Sequence, residues 1–251
     1  MAAPLSAMKK LLFVSGLFLF TLLSCSREDI SELRQTGPVG SAAHFLLSAD
    51  TYRSLLVEIS YMPGLEPDTT VTGQLHNFLS TYLNKPDGVR VVKKQIPSTS
   101  EYLLTLAEVE ALEKRNRSAY TTGNEAALHI LLVNAKYNQK SILAMAYRST
   151  SICVFGKAVE QHAGEAGQMN RSQLCANLLK HETGHLLGLV NNGSPMHAPH
   201  NDVGSFTHCN STSCLMNAAL EFSCLQNVPM PQLCGHCEQD LRDNGGKTFI
   251  R

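Results

Sequence analysis

Two histidines and a glutamate lie within the segment His181-Glu182-Thr183-Gly184-His185. On an α-helix, residues four apart share one face, so His181 and His185 can bind a single zinc ion. Glu182 lies one position from the first histidine, where its carboxylate can reach a water on the metal without binding the metal itself. Because zinc lowers the pKa of a bound water towards neutrality, this carboxylate can take its proton. The spacing therefore indicates metal-dependent hydrolysis of peptide bonds.

The flanking residues predict where this helix begins and ends. Asn170 is a typical N-cap and Gln173 follows at the capping-box position, so the helix is expected to start near Arg171. Gly188 can adopt the left-handed conformation that ends a helix.

One stripe of the predicted helix contains Leu174, Leu178 and both histidines, which places the metal at the end of an apolar face. The residues expected to face away from this stripe are Gln173, Asn177 and Lys180. The alternative to a metal site is an exposed amphipathic helix whose two histidines are unrelated.

The composition limits the class of protein. The chain has 251 residues, a formal net charge of zero and 43% hydrophobic residues, which suits one ordinary globular domain with its own core. A neutral charge balance gives no electrostatic basis for binding nucleic acid. The histidine–glutamate segment indicates a peptide or protein substrate as the partner, and we expect a monomer.

The N-terminus is predicted to be a secretory signal outside the fold. Met8-Lys9-Lys10 is a short basic region, and the apolar run Leu11 to Leu23 is too short for a lasting transmembrane span. The run ends in Leu22-Leu23-Ser24-Cys25, which resembles a bacterial lipobox with Cys25 as the lipidated residue. The alternative is cleavage near Ser24 and release of a free product.

The lipobox resemblance implies a lipoprotein signal peptide over residues 1–24, and a lipidated cysteine with its tether over residues 25–40. Ser26 follows the cysteine where aspartate would retain an inner-membrane lipoprotein. We therefore expect an exported, lipid-anchored protein at the outer membrane or cell surface. The lipid would be its sole contact with the membrane.

Residues 41–251 are expected to form the domain, with a sheet lobe over about 41–190 and a Cys/His-rich lobe over about 191–251. Strands are predicted at 54–61, 89–96 and 127–137, two more within 142–155, and helices at 71–83, 99–115 and the histidine segment. This order favours an α+β fold, a twisted mixed sheet with backing helices. After Gly188 the chain is expected to be irregular and held by metal.

A third protein ligand must come from beyond the helix, because catalytic zinc sites normally have three. The metzincin pattern H-E-x-x-H-x-x-G-x-x-H has a histidine where this chain has Asn191. Spacing alone leaves His208, His200, His197, or Asn191 with a water as candidates. His208 is favoured because Cys209 follows it directly. If Cys209 belongs to a four-cysteine zinc site, that second metal would hold the backbone of His208 in place.

Four cysteines follow the spacing C-x4-C-x19-C-x2-C, namely Cys209, Cys214, Cys234 and Cys237. This spacing favours a structural zinc, with two disulfides or a redox-active pair as alternatives. Cys175, on the predicted helix, is expected to be a buried core thiol.

These motifs together resemble the archaemetzincins, whose second half runs HC-x4-C-x-M-x17-C-x-x-C; His208 to Cys237 matches it in spacing. The resemblance spans about sixty residues. It implies that His208 is the third catalytic ligand, that the four cysteines bind a second, structural zinc, and that Met216 is the Met-turn methionine. It also implies that the strand at 127–137 is a sheet edge with which a peptide substrate pairs.

One feature departs from the archaemetzincin pattern. Leu189 to Thr207 comprises nineteen residues, seventeen more than the two residues that the pattern has there. An added loop costs little closure entropy, so it need not disturb the metal site.

The sequence therefore predicts a lipid-anchored zinc metallopeptidase with Glu182 as the general base. The alternative is a zinc-stabilised surface binding lipoprotein whose catalytic site has lapsed, for which Asn191 and the long loop are the support.

Overall fold

The computed structural model describes residues 35–139, 142–163, 169–218 and 231–248. The predicted signal peptide and Cys25 lie outside these residues. Within them, no helix combines the length and the apolar character that crossing a bilayer requires.

The last residues of the predicted tether pack against the domain. The Gln35 side chain accepts a hydrogen bond from the Thr121 N–H at 2.8 Å, and the Gly37 carbonyl accepts one from the Ser149 N–H at 2.9 Å. The folded domain therefore begins before the predicted boundary at residue 41.

The described residues form seven strands in two sheets. They are β1 (Ser54–Tyr61), β2 (Val89–Gln95), β3 (Leu103–Leu104), β4 (Glu125–Val133), β5 (Lys136–Tyr137), β6 (Ala144–Arg148) and β7 (Ser151–Phe155). Five make a mixed sheet in the order β2-β1-β4-β7-β6, in which β6 runs antiparallel to β7 and the other neighbours are parallel. β3 and β5 pair in the second sheet. The predicted mixed sheet is confirmed, and its parallel part explains why helices must cover it.

β4 lies in the middle of the large sheet, between β1 and β7. Eight of its nine residues are buried, as expected for an apolar central strand. The prediction that the segment 127–137 forms the sheet edge is therefore wrong. The edges are β2, whose exposed Lys93 and Lys94 discourage further pairing, and β6.

The helices are α1 (Ala43–Leu47), α2 (Thr69–Tyr82), α3 (Leu106–Asn116), α4 (Gly156–His162), α5 (Arg171–Leu186) and α6 (Gly235–Asp243). The predicted helix at 99–115 begins later, because Thr105 and Glu108 form a capping box that fixes the start of α3. Three helices were not predicted from the sequence, namely α1, α4 and α6. The last of them shows that the C-terminal lobe, expected to be irregular, ends in a helix.

α5 begins at the predicted residue, where the Asn170 side chain accepts a hydrogen bond from the Gln173 N–H at 3.0 Å. The helix packs against α2 on one side and against β6 and β7 on the other. Asn177 and Lys180, on the side expected to face away from the apolar stripe, are only 1% and 5% exposed. From Leu174 to Leu186 every residue of the helix is buried, which gives its histidines a rigid support.

The irregular segment after Gly188 joins the same apolar core as the sheet. Cys209, Cys214 and Cys237 are fully buried and belong to the hydrophobic cluster that includes the strands and α5. The chain here pairs with itself through the short bridge between Asn201 and Cys209. The cysteines are thus held next to the histidine helix by packing as well as by the chain.

Candidate metal centres

Three histidines converge at the C-terminal end of α5. His181 and His185 lie one turn apart with their Nε2 atoms separated by 3.1 Å. The ring of His208 lies 5.3 Å from that of His181 and 5.0 Å from that of His185, measured between centroids. One ligand atom from each lies within 4.8 Å of the others. Nitrogens on one tetrahedral zinc, at about 2.05 Å from it, are about 3.3 Å apart, so the rings fit a shared ion.

Each of the three rings is oriented through its other nitrogen. Nδ1 of His181 lies 2.7 Å from the Leu215 carbonyl oxygen, that of His185 lies 3.2 Å from the Leu189 carbonyl oxygen, and that of His208 lies 2.7 Å from the Ser205 hydroxyl. A carbonyl only accepts, so His181 and His185 carry their proton on Nδ1. Nε2 is then the nitrogen that each offers to a metal, as in known histidine–metal sites.

The other candidates for the third ligand lie elsewhere. His197 is exposed and does not belong to the histidine group, and Asn191 is also exposed. His200 is buried among the cysteines. Of the three histidines that spacing leaves open, the fold brings His208 alone to the two histidines of α5.

Glu182 faces a cavity beside the histidines. Its Oε2 accepts a hydrogen bond from the Ala146 N–H at 2.7 Å, which fixes the carboxylate against strand β6. The cavity measures about 310 Å³, and Glu182, His185, Thr207 and residues of β6 contribute to its lining. This volume is at the lower end for ligand-binding pockets. The carboxylate and a histidine therefore open onto one space large enough for part of a substrate.

Met216 lies directly against α5. It is fully buried, and a Cβ added at Gly184 would overlap its sulfur atom. The Leu215 carbonyl that orients His181 precedes it in the chain. Met216 thus fixes the distance between the helix and the segment that carries this carbonyl. Sequence reasoning missed Gly184, although a glycine inside a helix pattern often signals close packing.

We expect Gly184→Ala to destabilise the protein by about 1–3 kcal/mol, because the added methyl group must displace Met216 in a packed core. Gly73→Ala in α2 is the matched control, since nothing lies within 4 Å of its added Cβ. It should stabilise by about 0.4–1 kcal/mol. Denaturant midpoints of both variants check this, and a Gly184→Ala midpoint at or above that of the parent would contradict the close packing.

Gly188 ends α5 as predicted. Its φ is +83°, and a Cβ there would also overlap the Ser194 backbone nitrogen. The Gly188 carbonyl accepts hydrogen bonds from the N–H groups of Asn192 and Ser194, both at 3.1 Å. This turn sends the added loop away from the helix before it returns to His208.

The four cysteines form a second group. Sγ of Cys209 lies 3.6 Å from that of Cys234, and Sγ of Cys214 lies 3.6 Å from that of Cys237. A disulfide requires about 2.05 Å, so these residues are thiols in this arrangement. Sulfurs around one tetrahedral zinc, at about 2.3 Å from it, are about 3.8 Å apart. The arrangement fits a zinc site and does not fit two disulfides or an oxidised pair.

Hydrogen bonds among these sulfurs shift their pKa values. The bond with Cys214 lowers the pKa of Cys209 to about 6, and the bond with Cys209 lowers the pKa of Cys234. Bonds with Cys209 raise the pKa values of Cys214 and Cys237. A lowered pKa favours the thiolate, which is the form that binds metal. Burial raises the pKa of Cys175 to about 12, as expected for a core thiol.

Among solved structures, the chain is similar to the crystal structure of archaemetzincin from Methanopyrus kandleri. The identity is 17% and the TM-score 0.50, over 78% of this chain and 96% of that one. No protein-family profile and no curated protein matches the chain. At this identity the likeness concerns the fold. The chain therefore shares the fold of this archaemetzincin, and its described residues include two groups of potential metal ligands.

Proposed function

We propose that the protein is a zinc-dependent peptidase whose general base is Glu182. The observation that carries the proposal is the convergence of three histidine rings, each oriented through Nδ1, with the Glu182 carboxylate lining the same cavity as one of them, His185. His181, His185 and His208 would hold the zinc. The alternative, an exposed helix whose two histidines are unrelated, does not explain why the ring of His208 converges on them or why all three rings are oriented through Nδ1.

Each residue of the proposed site would have a separate role in the reaction. The chemistry that a zinc ion supplies at such a site is to lower the pKa of water and to polarise the scissile carbonyl. Glu182 would take the proton from the attacking water and pass it to the leaving amine. The Ala146 N–H would hold the carboxylate in place, because this hydrogen bond joins it to the sheet.

An extended peptide would bind along β6. This strand is an edge of the large sheet, and three of its residues, Ala144, Met145 and Ala146, line the cavity beside Glu182. A peptide can add to such an edge through main-chain hydrogen bonds. β6 would thus take the role that the archaemetzincin resemblance implies for the segment 127–137.

The cysteine group would bind a second, structural zinc. The distances between its sulfur atoms support this assignment. A zinc ion on Cys209 would also hold the backbone of the preceding residue, His208, in position beside the catalytic site. We also propose, from the lipobox pattern, that Cys25 is lipidated and that the enzyme is anchored outside the cytoplasm.

The rival function, a lapsed binding protein, loses its main support. His208 supplies the third ring of the histidine group, and Asn191 is exposed, so the proposed site does not need Asn191 as a ligand. The long loop returns to place His208 beside His181 and His185.

The experiment is metal analysis combined with a peptide-library digest. We expect about two zinc ions per chain. Mild chelation should remove one of them and abolish hydrolysis, and added zinc should restore both the second ion and the hydrolytic activity. One tightly held zinc and no cleavage at any peptide in the library would contradict the proposal and favour the binding protein.

A further inference from the structure

A histidine from the added loop lies within the cysteine group. Nδ1 of His200 is 3.4 Å from Sγ of Cys209 and 4.0 Å from Sγ of Cys237, and the residue is 1% exposed. The His200 carbonyl accepts a hydrogen bond from the Asn210 N–H at 2.8 Å, next to the bridge that joins Asn201 to Cys209. Its backbone and ring are therefore fixed beside the sulfurs.

A buried carboxylate orients this ring. Nε2 of His200 lies 2.7 Å from Oδ2 of Asp240, and Asp240 is also 1% exposed. The other oxygen of Asp240 accepts a hydrogen bond from the His197 N–H at 2.7 Å. Because a carboxylate accepts, it directs a proton to Nε2 and leaves Nδ1 as the atom that can ligate. This carboxylate–histidine pair is the arrangement that commonly supports a zinc ligand.

The group therefore contains five donors for a metal that takes four. On one tetrahedral zinc, a nitrogen at about 2.05 Å and a sulfur at about 2.3 Å are about 3.5 Å apart. The two distances from His200 to sulfur lie on either side of that value. The potential ligand atoms of His200, Cys209, Cys234 and Cys237 all lie within 4.8 Å of one another. Cys214 is the sulfur that this set leaves out.

We propose that His200 is a fifth donor, able to replace Cys214 as a ligand of the second metal. The inference rests on the second metal of the proposed function. Two sets of four ligands then share Cys209, Cys234 and Cys237, with the fourth position taken by the Cys214 sulfur or by the His200 nitrogen. The site would keep its metal when the Cys214 sulfur is lost, and the added loop would supply that tolerance.

The test compares Cys214→Ser, the double variant Cys214→Ser/His200→Gln, and Cys234→Ser, which removes a ligand common to both sets. Zinc per chain is measured after mild chelation, and the cobalt-substituted proteins are examined by absorption. We expect Cys214→Ser to keep the second metal, with the thiolate-to-cobalt band reduced by about one quarter as four thiolates become three. The double variant and Cys234→Ser should each lose one metal.

Three results would overturn the inference. One is loss of the second metal, or of the fold, in Cys214→Ser to the same degree as in Cys234→Ser. Another is retention of the metal by the double variant, since His200 would then not be the replacement. The third is an undiminished thiolate band in Cys214→Ser. If the parent itself holds no second metal, the structural zinc of the proposed function fails too, and this outcome is distinguishable because it precedes any variant.

Discussion

Glu182→Gln should lower peptide hydrolysis by about 10²–10⁴-fold, the usual contribution of a general base, while zinc content stays at the parental value. The amide has nearly the shape of the carboxylate but cannot take a proton from water. Its oxygen can still accept the hydrogen bond from the Ala146 N–H, so the local packing should survive. The measurements are the hydrolysis rate and the zinc content of the same preparation.

Glu160→Gln is the matched control for this experiment. Glu160 is an exposed residue of α4 that pairs with Lys157 at 3.4 Å, away from the cavity that contains Glu182. Its substitution should leave both the rate and the zinc content unchanged. Hydrolysis at the parental rate by Glu182→Gln would remove the general-base role.

His208→Ala should reduce zinc from about two per chain to about one and abolish hydrolysis. His208 is the third ring of the histidine group, and removing it leaves the two rings of α5 without a partner ligand. The zinc that remains should be the one that resists mild chelation, because the cysteines are untouched.

His197→Ala is the control for the third ligand. His197 comes from the same loop but is exposed and contacts Asp243, with its Nδ1 at 2.9 Å from Oδ2. Both zinc ions and the hydrolysis rate should survive its substitution. If His208→Ala kept the labile zinc and His197→Ala lost it, the assignment of the third ligand would be wrong.

The sequence predicts the local features of the site because they depend on neighbouring residues. The start of α5 follows from Asn170, its end from Gly188, and the shared face of the two histidines from helical spacing. The burial of Cys175 follows from its place beside the apolar stripe. None of these requires knowledge of the fold.

Features that depend on pairing between segments far apart in the sequence are harder to predict from the sequence. The apolar pattern of β4 fits a buried strand but does not fix its neighbours, so its central position could not be read from the residues. Likewise, spacing alone leaves His197, His200, His208 and Asn191 open, because a long loop can return by many routes, and only the adjacent Cys209 favours His208. The choice becomes visible when the bridge between Asn201 and Cys209 fixes the loop.

The partner of His200 had no usable signal in the sequence. Asp240 lies on α6, a helix that the irregular composition of the C-terminal segment does not suggest. The close packing of Met216 on Gly184 had a weak signal, an interior helix glycine. In both cases the information lies in contacts between segments that are far apart in the chain.

An anomalous difference map at the zinc absorption edge, from crystals of zinc-loaded protein, tests the account most directly. We expect one peak at about 2.0–2.1 Å from Nε2 of His181, His185 and His208, and another about 2.3 Å from the cysteine sulfurs. A map with the second peak alone, and the three histidine rings turned away from one another, would contradict the proposed catalytic site.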